Sequence, residues 1–168
     1  MLRRVVLGTL ALESGGAALL FLAWEKAFPD PLVRAGQAAF HAVSAFCNAG
    51  FALFPDNASL TGFVDDPATC GVIGALIVLG GLGFPVLHEL TRWRRRWNRH
   101  TRWVLASSAL LVAVGALFLA GLEELEPLES LFQSVTLRTA GFNTVPFGAL
   151  SIPAAATCVV LMLVGGSP

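Results

Sequence analysis

Charge is scarce in this chain. Of 168 residues, 13% are Asp, Glu, Lys or Arg, eleven of each sign, while 55% are apolar and the mean hydropathy is +0.72. A soluble domain of this size covers its outside with ionised side chains, so the scarcity excludes one. Cysteine is scarce too. Cys47, Cys70 and Cys158 are odd in number and far apart, which fits neither a disulfide framework nor a zinc site; they read as small buried residues. The three histidines are scattered without ligand spacing, which excludes a histidine metal centre. No Ser-His-Asp arrangement, P-loop or dinucleotide fingerprint occurs, so nothing supports an enzyme and no cofactor is expected.

What the chain has in quantity is apolar length. Four stretches stand out, at 5–24, 69–90, 103–122 and 153–164. The first three run 20 to 22 residues, about 30 Å as helix, which is the thickness of a hydrocarbon core. The last, extended to 153–168, holds sixteen residues and falls short of a crossing. A cleaved signal peptide is the competing reading of the N-terminus, but the first run is too long for a typical signal and carries Glu13 in its middle. The expectation is an all-α integral membrane protein.

Charge placement predicts the orientation. Eight of the eleven basic residues are Arg3, Arg4 and the six arginines of 92–102, RWRRRWNRHTR. Nine of the eleven acidic residues fall at Glu25, Asp30, Asp56, Asp65, Asp66, Glu123, Glu124, Glu126 and Glu129. The basic side is cytoplasmic by the positive-inside rule, so the N-terminus and 92–102 lie inside a plasma (cytoplasmic) membrane, with 25–68 and 123–152 outside. An arginine loop this short, wedged between two spans, suits anionic lipid and not nucleic acid.

The outer segments are not polar. Residues 31–51 read PLVRAGQAAFHAVSAFCNAGF, and 127–142 read PLESLFQSVTLRTAGF. Asp30 before Pro31 is an N-cap followed by proline at the first helical position, and Glu126-Pro127 with Glu129 repeats the theme. Each predicts a short helix, 31–46 and 127–137, that enters the bilayer without crossing it. A helix ending at membrane depth leaves carbonyls bare, which is tolerated where irregular backbone is buried or lines a wet cavity. It also aims the negative end of its dipole there, favouring a cation. Gly50 and Gly141 can take positive φ, letting successive carbonyls turn toward one axis and stand in for an ion's hydration shell. Ala49-Gly50-Phe51 maps to Ala140-Gly141-Phe142 at an offset of 91, as Pro55 does to Pro146, while Phe40 maps to Phe132 at 92. The plan is therefore a tandem repeat of helix, re-entrant loop and helix. Unit A is 1–91, with spans 5–24 and 69–90 around pore helix 31–46 and filter 47–51. After the loop 92–102, unit B is 103–168, with span 103–122, pore helix 127–137, filter 138–142 and the short span 153–168. Gly80, Gly81, Gly83 and Pro85 in the second span read as close helix packing and a kink.

At these residues the sequence resembles the Trk/Ktr/HKT superfamily of potassium transporters. FHAVSAFCNAGF is similar to that family's second pore loop, LFQSVTLRTAGFNTV to its third, and the closing LMLVGGSP to the start of a glycine-rich interruption below the third loop. The resemblance implies potassium transport, with Gly50 and Gly141 as filter glycines. Carbonyls of Cys47, Asn48, Ala49, Arg138, Thr139 and Ala140 would line the path, potassium being held only at these filter residues, and Gly165 and Gly166 would belong to a gate segment. Cys47 departs from the asparagine often found at its place. The family surrounds one ion path with four such units and only two are present here. The others would come from a longer chain or from a second copy paired around a two-fold axis. The resemblance further implies a homodimer seated on a cytosolic, nucleotide-binding regulatory subunit. The resemblance leaves open a sodium or non-selective cation path, since some relatives differ in selectivity through a first-pore-loop residue that this chain lacks; the other alternative is a non-conducting membrane segment with an assembly role.

Two charges remain. Glu13 lies about 12 Å into its span, where a carboxylate either faces the ion path or is satisfied by Ser14, Gly15 and Gly16 at a tight helix contact. Arg138 would repel a cation if it faced the path, so it is expected to point behind the filter and brace the loop by pairing with Glu129 or Glu126.

Overall fold

A computed structural model describes residues 2–91, 97–138 and 140–165. Arg92, Arg94, Arg95 and Arg96 of the basic loop, the filter candidate Thr139 and the gate candidate Gly166 lie outside the described residues. Seven α-helices and no strand occur among those described: α1 (Leu2–Ala23), α2 (Pro31–Phe46), α3 (Pro67–Gly81), α4 (Phe84–Leu90), α5 (Arg99–Glu123), α6 (Pro127–Thr136) and α7 (Ile152–Gly165). Among the described residues two helices are long and apolar enough to cross a membrane, over Val5–Ala23 and Arg99–Glu123, and the bent pair Pro67–Gly81 and Phe84–Leu90 makes a third if it is one span. The protein is an all-α integral membrane protein.

Side-chain caps start α2 and α3, while α6 opens on a proline without one. The Asp30 carboxylate accepts from Leu32 N and Val33 N, with Pro31 at the position where a missing N–H costs nothing. Asp66 caps α3 by accepting from Ala68 N, again ahead of a proline, and Pro127 opens α6. α1 packs on α2 and α3, and α5 on α6 and α7, so the order of packing repeats as the sequence does. The contact of α3 with α6 joins the two halves.

The core of the first half is aromatic and well bonded. Trp24, fully buried at the end of α1, stands among Phe28, His41, Phe54 and Phe63. Its Nε1–H donates to Thr69 Oγ1 at 2.7 Å, and that hydroxyl donates to Asp66 Oδ2 at 2.5 Å, so an indole that would be costly to bury unpaired is satisfied. Arg34 lays its guanidinium 4.2 Å from the centre of the Phe21 ring. Leu119, Leu137, Ala154 and Cys158 form a second cluster in the other half.

One expectation is sharpened and two are corrected. The kink expected in the apolar run 69–90 is a full break after Gly81, where α4 turns away from α3 by 110°, as in a broken span or a re-entrant loop. Gly83 sits at φ +77 and Pro85 cannot donate to a continuing helix, so the backbone ladder is interrupted there. The loop 92–102 is overtaken from residue 99 by α5, because the Asn98 side chain accepts from Thr101 N at 2.8 Å and Asn98 is itself held by the Glu89 carboxylate. Arg99 and Arg102 are thus helical. Finally, Cys70 and Cys158 are buried but Cys47 is exposed, since it caps α2 on the open side of the molecule.

Candidate functional site: two glycine loops back to back

Each short helix ends one turn before its glycine, and local bonds show why. In the first unit Cys47 caps α2, and Ala49 N donates to Ser44 O at 2.9 Å. In the second, Leu137 caps α6 and Ala140 N donates to Thr136 O at 2.9 Å. Ser44 is five residues before its donor and Thr136 four, so the one-residue deficit between the two copies falls within this turn. Past the glycines the copies coincide again: Ala58 N donates to Pro55 O, and Ala149 N to Pro146 O. The same turn is built twice.

Gly50 at φ +71 and Gly141 at φ +82 both occupy the left-handed region that side chains resist. They also meet. A Cβ added at Gly50 would land on Ala140 O and stand 2.6 Å from Gly141 Cα, while one added at Gly141 would be 3.3 Å from Gly50 Cα. Two glycines separated by half the chain therefore touch through their backbones, at the C-terminal ends of two helices. The loops are further latched to each other beyond the glycines, where Leu60 N donates to Asn143 O and Asn143 N to Ser59 Oγ, both at 2.9 Å.

Of the residues expected at the site, Cys47 and Ala49 are exposed, Asn48 and Gly50 half-buried, Ala140 buried, and Gly141 exposed. Asn48 sits at φ +52 and bolts the first loop to the break in α3: with its amide oriented to suit both partners, it donates to Ile77 O at 3.2 Å and accepts from Gly81 N at 3.3 Å. Gly80 has no room for a side chain, because a Cβ there would fall on Phe46 O. A cavity of about 310 Å³ opens below this junction, lined by Thr9, Phe46, Cys47, Asn48, Gly80, Phe84 and Leu87. Glu13 comes to the same loop. The Cys47 thiol donates to its Oε1 at 3.9 Å, so the neighbour of this carboxylate is a loop residue and not only its own helix.

Arg138 is half-buried, with its stem against the end of α7: a Cβ at Gly165 would be 3.2 Å from Arg138 Cα and 3.3 Å from its Cγ. The structure thus brings a filter candidate and a gate candidate into contact. Glu129, one partner expected for Arg138, is in the first turn of α6, about 13 Å up the helix axis from it.

Sequence reasoning missed the side chains that hold the loops. Ser44 Oγ donates to Phe51 O at 2.8 Å, and His41 Nε2 accepts from Leu53 N at 3.3 Å. A signal was available: His41, Ser44, Gln133, Ser134 and Thr136 are hydrogen-bonding residues inside apolar helices, and all are buried.

Tandem helix–loop–helix units that join their loops beside membrane-length helices define the class as integral membrane protein. The chain belongs to the TrkH family, described as cation transport proteins, whose family model matches residues 17–119 and 125–168. It is 36% identical to the Ktr system potassium uptake protein B of Vibrio alginolyticus, over 98% of this chain and 39% of that protein. With the protein of the same name in Bacillus subtilis the identity is 39%, over 75% of this chain and 31% of the relative. The potassium/sodium uptake protein NtpJ of Enterococcus hirae is 34% identical over 76% of this chain and 31% of its own length. The chain thus spans well under half the length of these relatives.

Proposed function

We propose that this chain contributes two of the loops that line a potassium path across the plasma membrane. The observation that carries the reading is the contact of two positive-φ glycines at the C-terminal ends of two helices that do not cross. Carbonyls of residues 47–50 and 138–141 replace the ion's water, and the two helix ends add the equivalent of about half a negative charge each. Neither loop contains a carboxylate, so main-chain oxygens do the coordinating, with Glu13 set back beside Cys47. Gly165 and Gly166 belong to the gate below, against which Arg138 braces its loop. Potassium moves inward down the membrane potential; at about 150 mV that supplies roughly 3.5 kcal/mol per charge, enough for about a 300-fold gradient.

Two loops make half a ring. The other half comes from a further stretch of chain or from a second copy, since both units share one orientation and a two-fold axis would complete the set. The basic side, with 92–102, faces the cytoplasm and meets anionic lipid or a nucleotide-binding regulatory subunit. Rubidium and sodium uptake into liposomes tests the reading, with crosslinking in detergent to count copies. Rubidium flux exceeding sodium flux supports it. Equal fluxes favour a non-selective path, a reading to which the name of the Enterococcus relative lends weight. No flux, with monomers only, leaves a segment that acts in assembly and sinks the half-ring idea.

A further inference from the structure

The duplicated turn can be read residue by residue. His41 and Gln133 occupy equivalent positions in the two pore helices, at the offset of 92 that relates Phe40 to Phe132. Leu53 and Thr144 are equivalent in the outgoing limbs, at the offset of 91 that relates the glycines. In the first unit, His41 Nε2 accepts from Leu53 N at 3.3 Å. In the second, Gln133 Oε1 accepts from Thr144 Oγ1 at 3.4 Å. Different side chains reach the same place: a fully buried acceptor on the pore helix holds the residue three past the filter glycine, through its main-chain N–H in the first unit and through its side-chain hydroxyl in the second. The histidine is set for this task. Its Nδ1 lies 2.7 Å from Gln37 O, and a carbonyl only accepts, so the proton is on Nδ1 and Nε2 is left as an acceptor. The rings of Trp24, Phe40, Phe54 and Phe142 fix the plane of the imidazole. Position 44 adds a second tie in the first unit through Ser44 Oγ to Phe51 O, whereas the buried hydroxyl of Thr136 at the equivalent position has no partner among the described residues.

We infer that His41 and Gln133 are paired positioning residues of the ion path, each fixing the limb that leaves its filter glycine and thereby the direction of the carbonyls before it. The inference rests on the transport reading above but makes a claim that can be read without any flux. Carbonyl oxygens that replace a hydration shell act only when their directions are fixed, so loosening the limb should lower discrimination between ions before it lowers throughput. From its own pore helix the first limb receives two side-chain ties and the second one, and the second is held in addition by the latch of Asn143 to Ser59 and Leu60.

The test compares His41→Ala, His41→Gln and Gln133→Ala in the reconstituted chain. Glutamine places its Oε1 near where Nε2 stood, so His41→Gln borrows the solution of the second unit. Amide hydrogen exchange at Leu53 should quicken about tenfold in His41→Ala and by less than about threefold in His41→Gln. The rubidium-to-sodium uptake ratio should fall in His41→Ala and Gln133→Ala and be restored in His41→Gln. Exchange at Leu53 unchanged in His41→Ala would overturn the tie, and altered exchange with an unaltered ratio would reduce it to a structural bond. Should His41→Ala not fold, nitrogen NMR of histidine-labelled wild-type protein decides: a neutral ring with its proton on Nδ1 supports the assignment, and a proton on Nε2 overturns it. A wild-type chain without flux would instead count against the transport reading, leaving the exchange result standing.

Discussion

Gly50→Ala is the sharpest perturbation of the proposed path, because two separate costs meet at one atom. The first is conformational. At φ +71 an L-residue sits in the left-handed region, at a cost of about 1–2 kcal/mol. The second is steric. The new methyl falls on Ala140 O and 2.6 Å from Gly141 Cα; both are backbone, so no rotamer change relieves the clash and the loops must part. Overpacking of this kind costs about 1–3 kcal/mol, giving about 2–5 kcal/mol in all. Gly141→Ala meets nothing nearer than Gly50 Cα at 3.3 Å, so its cost is mainly the first, about 1–2 kcal/mol. Gly36→Ala is the control: it lies in α2 with nothing within 4 Å of an added Cβ, and should stabilise by about 0.5–1 kcal/mol. Unfolding in detergent, followed by tryptophan fluorescence, and rubidium uptake into liposomes should both rank the variants Gly36→Ala, Gly141→Ala, Gly50→Ala from best to worst. If Gly50→Ala matched Gly141→Ala in both, the two loops would not be in contact and the reasoning from their meeting would fail.

Other substitutions probe the supports. Gly80→Ala puts a methyl on Phe46 O, backbone on backbone, and should cost about 3 kcal/mol or more; normal yield and melting would deny the close crossing of α3 and α2. Trp24→Phe removes the donor to Thr69 and should destabilise by about 1–3 kcal/mol, whereas wild-type melting would mean that the indole bond is not made. Arg138→Gln should shorten the lifetime of the folded state in detergent or lower the rubidium-to-sodium ratio, through its contact with the end of α7; no change in either would remove its bracing role.

Much of the architecture was legible because membrane helices obey simple bookkeeping of length and charge, and because caps are local. Asp30-Pro31 and Pro127 announce the starts of α2 and α6 in the sequence, and Ala-Gly-Phe marks the turn in both copies. The features read only in outline, or not at all, have tertiary causes. The break after Gly81 depends on the approach of Phe46 O to Gly80 and on Asn48 reaching Ile77 and Gly81, contacts between segments some thirty residues apart. α5 starts at Arg99 because Asn98, pinned by Glu89, caps it; a run of arginines and a histidine reads as loop when that cap is not seen. Cys47 looked like core by composition, yet the end of α2 turns it outward. The ties of His41 and Gln133 were hidden for another reason: each residue alone looks like a satisfied core polar group, and only the superposed repeats reveal a common task.

The latch between Asn143 and residues 59–60 bears on how such a molecule can be rebuilt. Because one residue of unit B both gives and receives a main-chain bond across the boundary, neither half can be exchanged for a foreign counterpart by cutting at the linker alone. A chimera that transplants one half must carry a matching rim from its new neighbour, so the natural module for recombination is the whole pair.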